Sequence, residues 1–340
     1  MRPAFTDVVG NRRLCERLCR DLTENRLSHA LILEGRRGSG KHMIALRIAA
    51  ALACEERENE RKALPCMQCP ACRKILSGNS PDVIYVNKGD KATLGVDPIR
   101  EVREDVRIAP NELPAKIYVI EDAHLMNQNA QNAFLLTLEE PPPYVHFLLL
   151  CESASALLET VRSRAATLRT EPIPTAQIEQ YLIKNVPDAK RTDAEQLREI
   201  VAAADGSIGY AVSLLDPALY KPLLDRRGCA RRFVTLCTSH ASAADVAVYL
   251  RGLPQKRDEL TELLGELLYC LRDLLLCKQT ENAPLCFFAD REEACTLAYG
   301  FTTPALLRIC ESVQLTVDRL RMNANVRLTL LSLAKDCGLL

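Results

Sequence analysis

Residues 29 to 54 restrict the possible folds more than any other stretch. An apolar run, His29 to Leu33, leads into Gly35-Arg36-Arg37-Gly38-Ser39-Gly40-Lys41-His42, and Met43 to Cys54 then carries Ala and Leu at helical spacing. A G-x-x-x-x-G-K loop between a strand and a helix is a phosphate cradle. Its glycines let backbone N–H groups point inward, and the helix N-terminus adds its positive end. Gly35, Gly38, Ser39, Gly40, Lys41 and His42 are therefore the candidate nucleotide-binding residues, with Lys41 placed to reach the β- and γ-phosphates. One position departs from the pattern. A Ser or Thr hydroxyl after the lysine would ligate Mg²⁺, whereas His42 offers an imidazole to a hard cation that prefers oxygen. Binding of ATP or ADP survives this change; Mg²⁺ binding and hydrolysis are compromised.

Further short apolar runs at Asp82 to Val86, Ile117 to Ile120 and Val145 to Cys151 alternate with helix-like segments. Buried strands alternating with helices predict a parallel sheet covered on both faces. After about residue 172 the strand signals stop. Glu171-Pro172-Ile173-Pro174 reads as a domain boundary, followed by helices at Thr175 to Lys184, Asp193 to Ala204 and Ser207 to Leu215. Leucines 260, 263, 264, 267, 268, 271, 274 and 275 recur every three or four residues, and Leu306 to Leu333 repeats that pattern. An ordinary helical core and a helical oligomerisation domain would look alike here. The expected class is an α/β P-loop domain with a parallel sheet (1–171) followed by all-α segments at 172–216 and 217–340.

Ile117-Tyr118-Val119-Ile120-Glu121-Asp122 is an apolar strand ending in two carboxylates, the form of a Walker-B element. The usual order is Asp then Glu, the first serving the metal shell and the second polarising water. Here the order is inverted. Asp122 is one methylene shorter than Glu, and a misplacement of about 1 Å can cost on the order of 10²-fold in rate. A charged strand end in solvent is the competing reading of Glu121 and Asp122.

Cys66-Met67-Gln68-Cys69-Pro70-Ala71-Cys72 gives C-x₂-C-x₂-C, with Cys54 a short loop upstream as the best candidate for a fourth ligand. That spacing lets the sulfurs turn to one tetrahedral centre. Four thiolates close the shell, so the expected Zn²⁺ is structural. The other cysteines, among the 15 in the chain, include Cys15, Cys19, Cys229, Cys237, Cys270 and Cys310, which fall in helix-like apolar patterns as small hydrophobes do. An odd, dispersed set argues for a reducing, cytoplasmic compartment. The opening residues lack an apolar signal core, and no run approaches bilayer length. Lys plus Arg and Asp plus Glu balance at 44 each, so no global field draws the chain to nucleic acid or membrane.

Taken in order, these elements resemble the clamp-loader family of AAA+ proteins, in particular the bacterial gamma/tau and delta-prime types of DNA polymerase III subunit. The resemblance runs from Phe5 to about residue 215: Val9-Gly10, His29-Ala30, the P-loop, the cysteine module (54–72) inserted after its helix, Glu121-Asp122-Ala123-His124, Asn132 through Leu138-Glu139-Glu140-Pro141-Pro142, and Arg162-Ser163-Arg164. It implies a RecA-like nucleotide-binding domain, a helical lid and a helical collar. It also implies partners: other loader subunits, the sliding clamp indirectly, and primer-template DNA in the assembled complex.

Motor subunits of that family carry a hydroxyl after the P-loop lysine, a Thr sensor, and a lid Arg. Here those positions read His42, Cys151-Glu152 and Gly209. The departures imply a stator of delta-prime type without competent ATPase activity of its own. Within Ser163-Arg164-Ala165, the resemblance implies that Arg164 is an arginine finger serving a neighbour's ATP site, although the family's following cysteine is replaced. An ATP-hydrolysing motor of the same machine and a zinc- and nucleotide-dependent nucleic-acid-binding regulator are the alternatives.

Overall fold

The computed structural model describes residues 5–59, 61–239, 241–280 and 283–339. Of the N-terminal stretch read above for an apolar core, residues 1–4 lie outside the described residues. The chain divides into two compact units. One runs to Ile178 and takes back Gly206–Tyr210; the other comprises Glu179–Asp205 and the chain from Ala211 onward.

The first unit is built on five parallel strands, β1 (Ala30–Glu34), β2 (Val83–Val86), β3 (Lys116–Ile120), β4 (Val145–Cys151) and β5 (Ala166–Arg169), in the order β2-β3-β4-β1-β5. Alternate residues face opposite ways. Leu31, Leu33, Ile117, Val119, Leu148 and Leu150 pack with α1 (Arg12–Thr23), α2 (Lys41–Leu52) and α3 (Pro70–Leu76). Ile32, Tyr118, Ile120, Phe147 and Leu149 pack with α4 (Val96–Asp105) and α5 (Gln128–Glu139). Covering both faces is why the central strands read as continuous apolar runs rather than alternating ones. Phe147 anchors the second layer, 5.4 Å from the Tyr118 ring and edge-on to Phe134 at 5.1 Å.

Strand β5 and helix α4 were not expected from the apolar runs. β5 is an edge strand, Ala-Thr-Leu-Arg, with only Leu168 buried. Such a strand leaves no apolar signature in the sequence; its pairing with β1 creates it. Before it comes the short α6 (Glu159–Arg162). The sheet brings the carboxyl ends of β1, β3 and β4 to one edge, where ligands of parallel α/β sheets bind.

Helices α7 (Thr175–Asn185), α8 (Ala194–Ala203) and α9 (Ile208–Ser213) fall within two residues of the bounds expected. The second unit continues with α10 (Pro217–Thr238), α11 (Ala243–Gly252), α12 (Arg257–Gln279), α13 (Arg291–Tyr299), α14 (Thr303–Arg321) and α15 (Val326–Asp336). Leu260, Leu263, Leu264, Leu267, Leu271 and Leu274 of α12 are buried in one core, with Leu268 and Leu275 at its margin. A buried carboxylate organises the same helix. Asp273 accepts N–H groups of Cys286, Phe287 and Phe288, while Arg227 donates to the carbonyls of Cys286 and Phe287 and pairs with Glu266. The C-terminal apolar run is split between α14 and α15 by a turn with Asn323 at φ 63° and Asn325 capping α15. Among the described residues no helix is long and apolar enough to cross a membrane.

Candidate functional site

The loop from Gly35 to Gly40 joins β1 to α2, the setting its spacing required. Gly38 and Gly40 adopt φ of 74° and 89°, conformations that side chains rarely take. The lysine is buried and turned onto its own loop: Lys41 Nζ donates to the carbonyls of Gly35 at 2.5 Å and Arg36 at 2.7 Å. Burial holds its pKa below the ordinary lysine value against the pull of Glu152, Cys151 and Asp122. A desolvated ammonium needs acceptors, and in this conformation the loop carbonyls supply them. Ser39 Oγ meets Thr170 Oγ1 at 3.1 Å, tying the loop to the end of β5.

A second set of contacts closes over the loop. The N–H of Gly209 donates to Gly38 O at 2.9 Å, and Ser207 Oγ donates to Arg37 O at 2.9 Å. The approach is so close that a Cβ on Gly209 would lie 2.8 Å from Gly38 Cα. No larger residue, and no arginine, fits at 209 without moving the chain.

At the end of β3, Glu121 and Asp122 diverge. Asp122 takes a left-handed conformation, φ 47°, and starts the turn Ala123–Leu125. Glu121 Oε1 instead contacts His42 Nε2 at 3.1 Å. His42 and Glu121, two departures from the usual pattern, therefore satisfy each other across the site. At the end of β4, Cys151 is buried, its thiol pushed up to about 12 by burial and by Glu34. The N–H of Glu152 lies 3.5 Å from His124 Nδ1.

The sulfurs of Cys54, Cys66, Cys69 and Cys72 all lie within 4.8 Å of one another. Cys54 follows α2, and Cys69 caps α3, its Sγ accepting the Cys72 N–H at 3.4 Å. Cys66 Sγ likewise accepts the Cys69 N–H at 3.3 Å. Thiolates about 2.3 Å from a tetrahedral Zn²⁺ stand about 3.8 Å apart, and Cys66 and Cys72 are already at 4.0 Å. Burial opposes ionisation of Cys66, but the N–H groups of Gln68 and Cys69 and the thiols of Cys69 and Cys54 together outweigh it and bring its thiol down to about 7. Burial pushes Cys54 and Cys72 up, because it disfavours the charged thiolate. The donor set fits a closed Zn²⁺ shell.

Arg164 follows α6 on the surface of the first unit. Its Nη2 contacts Glu139 Oε1 at 2.6 Å and its Nη1 donates to Thr160 O at 2.9 Å. Ala165 behind it is buried, so the position a cysteine takes in the resembled motif belongs to the core.

Residues 10–174 match the family model described as DNA polymerase III, delta subunit. The chain is 31% identical over 288 residues to DNA polymerase III subunit tau of Bacillus subtilis, a match covering 81% of this chain and 50% of the relative. It is also 32% identical over 227 residues to subunit delta' of the same organism, covering 65% of this chain and 68% of that one. The chain belongs to the clamp-loader AAA+ family. This clamp-loader chain is also 34% identical to the tau/gamma subunit of Haemophilus influenzae, covering 63% of itself and 31% of that relative. It thus spans only 31% to 50% of the length of these two relatives. Among solved structures, it aligns with a gamma subunit-related protein of Thermotoga maritima at TM-score 0.44 and 17% identity, covering 95% of this chain and 98% of that one.

Within the clamp-loader chain, sequence reading missed Ser207, Thr170 and Glu139. Ser207 stands in a Gly-Ser-Ile-Gly run whose glycines mark a close backbone approach, a usable signal. Nothing in the sequence around Thr170 or Glu139 links them to residues 131 and 25 positions away.

Proposed function

We propose that this chain is a delta-prime-like stator of the DNA polymerase III clamp loader. It completes a ring of loader subunits through its C-terminal helices, presents Arg164 to a neighbour's ATP site, and helps place the sliding clamp on primed DNA. In this reading residues 1–171 are the nucleotide-binding domain, 172–216 the lid and 217–340 the collar, and Cys54, Cys66, Cys69 and Cys72 hold a structural Zn²⁺. The metal would lock α3 to the end of α2 and take no part in catalysis.

The observation that carries the stator role is the commitment of the P-loop to its own chain. Lys41 is bonded to Gly35 and Arg36, Gly38 to Gly209, and Arg37 to Ser207. Lys41 must leave these two carbonyls before it can reach a phosphate, while Gly209 and Ser207 hold the loop backbone from the other side. Hydrolysis would further need Mg²⁺ where His42 meets Glu121, and a charge on the γ-phosphate where Gly209 offers none.

A motor role in the same machine is the second reading, favoured by one observation: the similar curated proteins include several tau and gamma subunits. Steady-state ATP hydrolysis by the purified chain with Mg²⁺ and primed DNA separates the two. Turnover at background supports the stator; turnover abolished by Lys41→Ala makes the chain a motor. The nucleic-acid-binding regulator is disfavoured by the zero net charge. Tight, salt-sensitive DNA binding by the isolated chain would restore it.

A further inference from the structure

Between α11 and α15 the second unit opens a groove of about 550 Å³, floored by Ala247, Leu250 and Leu330. Leu331 lines the same groove and remains 48% exposed. A scattered exposed leucine needs no explanation, but one set in a concave apolar trough does. The rim carries charge of one sign. Arg251 of α11 and Arg327 of α15 both line the groove, are exposed, and have no hydrogen-bond or ion-pair partner among the described residues.

The groove continues past Gln255 and Arg327 into a second depression bordered by Lys256, Arg257 and a single carboxylate, Asp258. There the cations are already engaged: Lys256 pairs with Glu259, and Arg257 donates to the carbonyls of Asn323 and Ala324. Arg257 thereby pins the turn that orients the first residues of α15. The two arginines left over are the two that flank the apolar floor.

We propose that this groove docks an acidic amphipathic helix of a partner protein, its apolar side chains on Leu250, Leu330 and Leu331 and its carboxylates on Arg251 and Arg327. An apolar trough takes the i, i+3, i+4 face of a helix. Unpaired guanidinium groups on both walls select carboxylates on its flanks, because a guanidinium forms paired hydrogen bonds with a carboxylate in a fixed plane. A second copy docked groove to groove would have to place its own arginines against these, which charge repulsion opposes.

The test uses the full chain and a fluorescein-labelled synthetic helix of about 15 residues bearing leucines at three- and four-residue spacing with glutamates on both flanks. A twin peptide carries lysines in place of the glutamates. Anisotropy should show saturable binding of the acidic peptide and at least about tenfold weaker binding of its twin. Arg251→Glu combined with Arg327→Glu should invert that preference, while Leu331→Glu should abolish binding of both. These side chains are exposed, and an unchanged thermal midpoint verifies each fold. Equal affinity for the two peptides, an unaltered preference in the double variant, or no saturable binding would overturn the proposal. Concentration-dependent dimerisation in sedimentation that Leu331→Glu removes would also overturn it, assigning the groove to a second copy.

Discussion

The Arg164 guanidinium is held 2.6 Å from the Glu139 carboxylate, with a second bond to the Thr160 carbonyl. Glu139 ends α5, immediately before Glu140-Pro141-Pro142, so the proline-terminated helix and the Ser-Arg segment are joined through these two side chains. Both are partly exposed, which keeps the pair weak and exchangeable.

If Arg164 serves a neighbouring ATP site, Arg164→Ala leaves assembly intact and slows hydrolysis at that site by about 10³-fold or more. Glu139→Gln removes the competing carboxylate while leaving the guanidinium free, so turnover in the assembled loader is retained. Single-turnover hydrolysis by the reconstituted loader reads both variants. Unchanged rates with Arg164→Ala would remove the finger from the reading.

The closed P-loop makes a prediction that is independent of the loader. The isolated chain should bind a fluorescent ATP analogue weakly, and Ser207→Ala should strengthen binding by releasing the Arg37 carbonyl. A lost, partly buried hydrogen bond of this kind shifts the equilibrium by about 1 kcal/mol, or roughly fivefold in affinity. Tight nucleotide binding by the unaltered chain, indifferent to Ser207, would contradict the closed state.

Zinc content is directly measurable. One Zn²⁺ per chain should be released by a thiol-reactive mercurial and detected with a chromogenic chelator. Cys72 is fully buried in the core that α2 and β1 share, so removing the metal leaves unpaired thiols there and lowers the thermal midpoint of the first unit. Cys66→Ser should abolish stoichiometric binding. Full zinc retention in a Cys54→Ser chain would exclude Cys54 as the fourth ligand.

Asp82 sets part of the acid stability. Its carboxylate is buried and accepts the N–H groups of Asn111, Glu112 and Leu113. Burial works against ionisation, yet these bonds prevail and hold its pKa below the ordinary aspartate value. A depressed folded pKa means that the stabilisation is complete above the unfolded value of about 3.9 and is lost as pH falls through the lower folded value. Asp82→Asn should therefore cost about 2 kcal/mol at neutral pH, with the gap to the unaltered chain narrowing below about pH 4. Urea unfolding at both pH values measures it; a gap that persists in acid would assign the loss to packing.

Local chemistry was legible in the sequence where it depends on neighbours along the chain. Strand, glycine loop and helix at residues 30–52 follow from period and turn residues, and the cysteine spacing placed three sulfurs of the cluster. The central strands β1, β3 and β4 were visible because burial on both faces demands unbroken apolar runs. Long-range pairings were not legible, since no local rule ties Gly209 to Gly38, Glu121 to His42, or Glu139 to Arg164. Packing alone decided that Gly209 touches the P-loop, that its lack of a side chain permits that contact, and that Lys41 spends its charge on its own loop. The local order of residues marks Lys41 and the four clustered cysteines as candidates for phosphate and metal. Which groups already have partners depends on the fold, because a buried charge takes whatever partner is brought within reach.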